Sequence, residues 1–71
     1  MIEEFTHTNA QERVREDMAN AITALDFLAT SIGQLAVLHE SDEEEAILTE
    51  GRVIAAKREM VKAVTGLLEA E

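Results

Sequence analysis

The sequence predicts an all-α protein: an antiparallel two-helix hairpin that assembles with further copies into a homo-oligomeric helical bundle. Apolar and small residues recur every seven positions along residues 41–71, as in one long helix with a broad apolar face. The chain has no proline and only two aromatic residues, and Ala, Glu, Leu, Ile and Val dominate it, which favours helices over sheets. A single domain of 71 residues buries little surface by itself, so partners are expected.

The second helix, predicted over about residues 42–69, organises the rest of the chain. Three neighbouring rows run along it: Ala46, Val53, Met60 and Leu67; Ile47, Ile54, Val61 and Leu68; Thr49, Ala56, Ala63 and Ala70. One partner helix cannot cover a face of this width, so we expect an oligomer interface. Its predicted members are Val53, Ile54, Ala56, Met60, Val61, Ala63, Val64, Leu67 and Leu68. Two hairpins in a four-helix bundle are the simplest closed arrangement, and a trimer of dimers is the higher alternative.

An arm over residues 1–8 precedes a first helix over about 9–38, and a turn at 39–41 joins the two helices. Asn9 with Glu12, or Thr8 with Gln11, is expected to cap the first helix. Its apolar stripe follows steps of four and three: Val14, Met18, Ala21, Leu25, Leu28, Ile32, Leu35 and His39, flanked by Ile22, Ala29 and Ala36. The sequence leaves open whether Gly33 kinks this helix or ends it early.

The acidic run after the turn is explained by helix capping. Ser41 is predicted to cap the second helix with Glu44 as its reciprocal partner, and the acids from Asp42 onward complement the helix dipole. His39 falls on the apolar stripe, where we expect a half-buried side chain near the end of the first helix.

The composition excludes several classes of protein. No cysteine is present, which excludes disulfides and thiolate metal sites. Fifteen acids against six bases give a net charge of −9, which disfavours direct binding to nucleic acid or to an anionic membrane. The longest apolar run, Leu35-Ala36-Val37-Leu38, is too short to span a membrane, and the acidic N-terminus does not resemble a signal peptide. We expect a cytoplasmic protein.

No catalytic constellation is apparent, so we expect a protein that is not an enzyme and needs no cofactor. The two histidines lie far apart in the sequence, and neither is near a serine at a telling spacing. Glu4-x-x-His7 has the spacing of a di-iron ligand pair, but such sites need a second pair and two more glutamates. The acids at 42–45 lack the alternating ligands and the central glycine of a calcium loop. No metal site is predicted.

Four of the six bases lie close together in the second helix, at Arg52, Lys57, Arg58 and Lys62. Lys57 falls on the apolar side, where an ammonium group needs a carboxylate across an interface or an anionic ligand. In one interpretation Lys57 pairs with Glu50 of an antiparallel copy. In the other, Lys57 and Arg52 line an anion pocket at the oligomer interface, closed by the arm with Phe5 stacking and Thr6 or His7 donating hydrogen bonds.

The layout resembles the phage anti-CBASS cyclic-dinucleotide sponges and the related hairpin domain of anti-Thoeris sponges. The likeness is carried by Phe5-Thr6-His7 before the first helix, Ser41-x-Glu43 at the start of the second, and Leu48-Thr49 further along it. It implies a non-enzymatic oligomer, encoded by a phage and present in the host cytoplasm, that traps a cyclic nucleotide messenger between protomers. It also implies ligand contacts for Phe5, Thr6, His7 and Thr49.

The sequence therefore supports a small binding protein that sequesters a cyclic nucleotide. Two alternatives stay open. One is an acidic inhibitor that mimics nucleic acid and occupies the groove of a basic nucleic-acid-binding protein, as anti-CRISPR-type proteins do. The other is a plain oligomerisation module, whose partner is only itself.

Overall fold

Two long helices joined by a tight turn make up the part of the chain that the computed structural model describes, which is residues 7–70, with side chains over 9–70. Helix α1 spans His7–Val37 and helix α2 spans Glu43–Ala70, and no strand occurs in this range. The Cα atoms extend over 51 × 24 × 10 Å. The prediction of an all-α helical hairpin is confirmed.

Helix α1 begins earlier than expected. His7 and Thr8, assigned to the arm, already belong to the helix, and Asn9 lies in its first turn instead of at its cap. Adding residues to an existing helix costs little once it has been nucleated, which explains the extra residues. Residues 1–6, including Phe5 and Thr6, lie outside the described part of the chain.

Gly33 does not end α1, because the helix continues without interruption to Val37. Instead, Gly33 makes room for α2. A Cβ atom at this position would lie 2.9 Å from Oε2 of Glu50, so the Glu50 side chain lies against the glycine backbone. The first helix therefore does not end early, and the glycine marks a close approach between the two helices.

The turn is formed by a left-handed residue that is not glycine. His39 has a φ of 57°. The N–H of Glu40 donates to the carbonyl of Leu35 at 2.9 Å, and the N–H of His39 donates to that of Ala36 at 3.2 Å. This pair of hydrogen bonds defines a Schellman motif. The left-handed backbone turns the chain away from the seam, so His39 is exposed, and the expected half-buried position is wrong.

Helix α2 is capped by Asp42, one residue after the predicted cap Ser41. The backbone N–H of Glu45 donates to Oδ1 of Asp42 at 3.0 Å, and the N–H of Ala46 donates to the Asp42 carbonyl at 2.9 Å. Three acids, Glu43, Glu44 and Glu45, fill the first turn, where they complement the helix dipole. The acidic run thus has the structural role that was expected, shifted by one position.

The contact between the helices is tightest near the turn and is made by small residues. Ala29, Ala36 and Ala46 are buried, with 7%, 6% and 5% of their surface exposed. Toward the open end the seam holds larger side chains that remain half-buried: Met18, Ile22, Leu25, Ile54, Val61 and Leu68. Within the described residues the hairpin therefore fully covers alanines only.

The predicted stripe of α1 is displaced by one row. Val14, Leu28 and Leu35 were expected between the helices, but 36%, 46% and 39% of their surface is exposed. The row containing Ile22, Ala29 and Ala36, predicted to flank the stripe, is more deeply covered. Small side chains let the helix axes approach, so α1 turns its alanine row toward α2 and leaves its leucine row at the edge.

Candidate functional site

Lys57 is the charged residue nearest the centre of the seam. Its Nζ donates a hydrogen bond to Oδ1 of Asp26, in the middle of α1, over 2.7 Å. Neither earlier interpretation named this partner. The carboxylate that Lys57 requires is across the hairpin in the same chain, and no copy or ligand is needed to supply it.

A shallow groove, open to solvent, runs along the side of the hairpin beside this ion pair. It is lined by Ile22 of α1 and by Lys57, Arg58, Val61, Lys62, Thr65, Gly66 and Glu69 of α2. We call it the basic groove. Arg58, Lys62, Thr65 and Glu69 share one face of α2 because they follow each other at steps of four, three and four residues.

The chemistry of the basic groove suits an anion with an apolar or planar body. Asp26 already neutralises Lys57, whereas neither Arg58 nor Lys62 has an ion-pair partner among the described residues. An arginine guanidinium presents two parallel donors to a phosphate, and a lysine adds a point charge. Ile22 and Val61 supply apolar surface. Glu69 also lines the groove, and its carboxylate repels an anion.

Among the predicted ligand-binding residues whose side chains the structure describes, Lys57 alone lies at this groove. Lys57 lines it, but Arg52 and Thr49 are exposed elsewhere on α2. His7 belongs to the first turn of α1, and its side chain lies outside the described part of the chain. Phe5 and Thr6 also lie outside it. The other polar residues that line this groove, Arg58, Lys62, Thr65 and Glu69, were not among the predicted ligand-binding residues.

The predicted oligomer interface divides into two groups. Val53, Ile54, Met60, Val61, Val64 and Leu68 are half-buried, so part of each is already covered within the hairpin. Ala56, Ala63 and Leu67 are exposed, Leu67 over 58% of its surface. Other large apolar residues are equally open, with Phe27 at 70% and Ile47 at 53%. Exposed apolar side chains that form a contiguous patch are typical of association surfaces.

Asp26 was missed, although the register of the hairpin identifies it. Once the turn is centred between residues 41 and 42, Asp26 is level with Lys57, and Gly33 is level with Glu50. A carboxylate directly across an antiparallel hairpin from a seam lysine is its natural partner. Arg58 carried no such signal, since its row points outward, and Lys62 lies beside the row of Ile54 and Val61 without falling on it.

Among the described residues, no group of three or more His, Cys, Asp or Glu side chains is arranged to hold a metal ion. Neither helix within residues 7–70 combines the length and hydropathy needed to cross a membrane. The chain matches no protein-family model, no curated protein and no solved structure.

Proposed function

We propose that this protein is a non-catalytic binding protein that works as a homo-oligomer. The observation that carries the proposal is the mismatch between apolar content and burial. Of the chain's residues 46% are hydrophobic, yet the buried hydrophobic ones among those described are Ala29, Ala36 and Ala46. Burying exposed leucine and valine between copies yields about 25 cal/mol for each Å² removed from water. Self-association is the direct route to that stabilisation.

The ligand we propose is a cyclic nucleotide messenger, bound at the basic groove. The groove offers Arg58 and Lys62 for a phosphate, the Thr65 hydroxyl as a donor, and Ile22 with Val61 as an apolar floor for a base. The positive groove lies within a protein of net charge −9. Salt screens the repulsion between the distant carboxylates and an anion in the groove, because the Debye length is about 8 Å at 0.15 M salt. Sequestration of a phage-defence signal is the role that the sequence resemblance adds.

An acidic inhibitor is the second candidate, and the turn favours it. Residues 40–45 include five carboxylates and no base, and all six residues of this segment are exposed. A rigid cluster of this kind fits a basic protein surface that normally binds nucleic acid. A plain oligomerisation module is the remaining alternative, and it requires no ligand at either site.

Native mass spectrometry of the protein purified from cells, before and after addition of a cyclic-nucleotide panel, separates these functions. Lys57→Glu is a poor probe, because it would also place two carboxylates together at Asp26. The better variant is Arg58→Glu with Lys62→Glu, and its matched control is Arg13→Glu with Arg15→Glu, which changes the charge equally at another exposed site. We expect a nucleotide adduct that only the first variant loses. An unchanged mass across the panel would contradict the ligand proposal.

A further inference from the structure

One broad side of the hairpin carries no charge in the rows that form it. On α1 it consists of the row Val14, Ala21, Leu28 and Leu35, and on α2 of the row Thr49, Ala56, Ala63 and Ala70 with Leu67 of the adjacent row. We call this surface the apolar face. Leu28 and Leu67 are exposed over 46% and 58% of their surface, and Ala56 and Ala63 are exposed as well.

Both halves of the apolar face lie on the same side of the hairpin. Rows displaced from the seam in the same rotational sense meet on one side when two right-handed helices run antiparallel. Asp26 follows the seam residue Leu25, and Arg58 follows the seam residue Lys57, so both are displaced in the opposite sense. The Asp26–Lys57 pair and the basic groove therefore mark the other side. The basic groove and the apolar face therefore lie on opposite sides, and Asp17, Arg52 and Glu59 of the neighbouring rows border the apolar face.

We propose that the apolar face binds a second copy of this chain, with the two turns at opposite ends of the dimer. This inference rests on the proposed homo-oligomer and specifies its interface and orientation. A standard interface covers about 800 Å² on each partner, and a side of 51 × 24 Å is large enough. An uncharged face suits an identical uncharged face, since neither copy buries an unpaired charge.

The orientation follows from the charge distribution. The turn end carries Glu40, Asp42, Glu43, Glu44 and Glu45 without a base, whereas at the open end Arg13 and Arg15 offset part of the charge of Glu12, Glu16, Asp17 and Glu69. Turns at the same end would bring ten carboxylates together. Turns at opposite ends separate these clusters by about the hairpin length of 51 Å, well beyond the screening distance.

The side-chain sizes agree with the same orientation. A two-fold axis across the hairpin places α1 on α1 and α2 on α2, each pair antiparallel. The α1 row is Val14, Ala21, Leu28 and Leu35. When this row packs against the same row running in the opposite direction, Ala21 lies opposite Leu28 of the partner subunit. The alanines of α2 then face alanines, which lets the two backbones approach closely.

The face is tested by matched substitutions on neighbouring residues. Ala56→Glu places a carboxylate on the apolar face, and Ala55→Glu places the same group on the outward row; both alanines are exposed, so neither change disturbs the seam. By sedimentation we expect Ala56→Glu to raise the dimer dissociation constant at least about tenfold, and Ala55→Glu to leave it unchanged, with equal helicity by circular dichroism. Equal weakening by both variants would overturn the assignment of the face.

The orientation is tested by a spin label at Ser41→Cys, since the chain has no cysteine of its own. Pulsed electron–electron resonance should give an intermolecular distance close to the 51 Å length of the hairpin. A distance no larger than its 24 Å width would place the turns together and overturn the orientation, while leaving the homo-oligomer intact. Absence of dipolar coupling together with a monomer mass would instead overturn self-association, leaving the apolar face to a different partner.

Discussion

Lys57 and Asp26 form an ion pair across the two helices, with Nζ of Lys57 2.7 Å from Oδ1 of Asp26. The pair fixes which residues of the hairpin are level with each other. Because 26% of the Lys57 side chain and 56% of the Asp26 side chain remain exposed, water and salt screen the attraction, and its effect on stability is modest. Its main consequence is register: sliding one helix by a turn would leave the seam ammonium without its carboxylate.

Exchanging the two charges tests this role. We expect Asp26→Asn to lower the free energy of unfolding by only about 0.5 kcal/mol, as for other partly exposed pairs. Asp26→Lys should cost more, since two ammonium groups then meet, and combining it with Lys57→Asp should restore most of the loss. The measurement is urea unfolding at one fixed protein concentration. Asp17→Asn is the control, since Asp17 is exposed and has no ion pair among the described residues. A swap that restores nothing would contradict the pairing.

The start of α2 gives a second prediction. Asp42→Ala removes the side-chain acceptor for the N–H of Glu45 and should destabilise the protein by about 1 kcal/mol. Ser41→Ala should have little effect, because Ser41 precedes the cap. Thermal unfolding followed by circular dichroism measures both. A larger loss of stability from Ser41→Ala than from Asp42→Ala would mean that Ser41 is the cap.

The turn gives a third prediction. His39 holds a left-handed backbone at φ 57°, which costs a residue with a Cβ atom about 1–2 kcal/mol and costs glycine almost nothing. His39→Gly should therefore raise stability by about 1 kcal/mol, or roughly 4–8 °C in melting temperature for a domain of this size. His39→Ala retains the strain and serves as the control. Destabilisation by His39→Gly would indicate that the exposed imidazole makes a contact that the hairpin alone does not contain.

Substitution by alanine should change stability by different amounts at the three glycines. Nothing lies within 4 Å of a Cβ atom built at Gly51 or Gly66. Each change should therefore stabilise its helix by up to about 1 kcal/mol. Gly33→Ala should stabilise less, because its Cβ requires the Glu50 carboxylate, 2.9 Å away, to move aside. Denaturant midpoints of the three variants test the order, and an equal gain at Gly33 would mean that Glu50 does not hold its position.

The heptad rows were enough to predict the hairpin, because a long helix with a broad apolar face has few alternatives. They were not enough to predict which row faces the partner helix. The choice between the leucine row with Leu28 and the alanine row with Ala29 depends on how closely two axes approach, and one residue separates the two rows. The cap of α2 was misplaced by one residue for a similar reason. Ser41 and Asp42 are both good cap residues, and the geometry of the turn decides between them.

The candidate site was predicted less completely than the fold. Lys57 was singled out because a charge on an apolar row is conspicuous in a sequence. Its partner Asp26 lies 31 positions away and becomes visible only when the register of the hairpin is known. Arg58 sits on an outward row, where charge is ordinary, and Lys62 lies beside the row of Ile54 and Val61, so only the shape of the folded surface distinguishes them from Arg52.

The most direct test of this account is the mass of the wild-type protein in solution at micromolar concentration, measured by light scattering after size-exclusion chromatography. We predict a defined multiple of the 7.8 kDa chain mass, because Leu28, Leu67 and their neighbours are not covered within one hairpin. A stable, fully helical species at 7.8 kDa would contradict it.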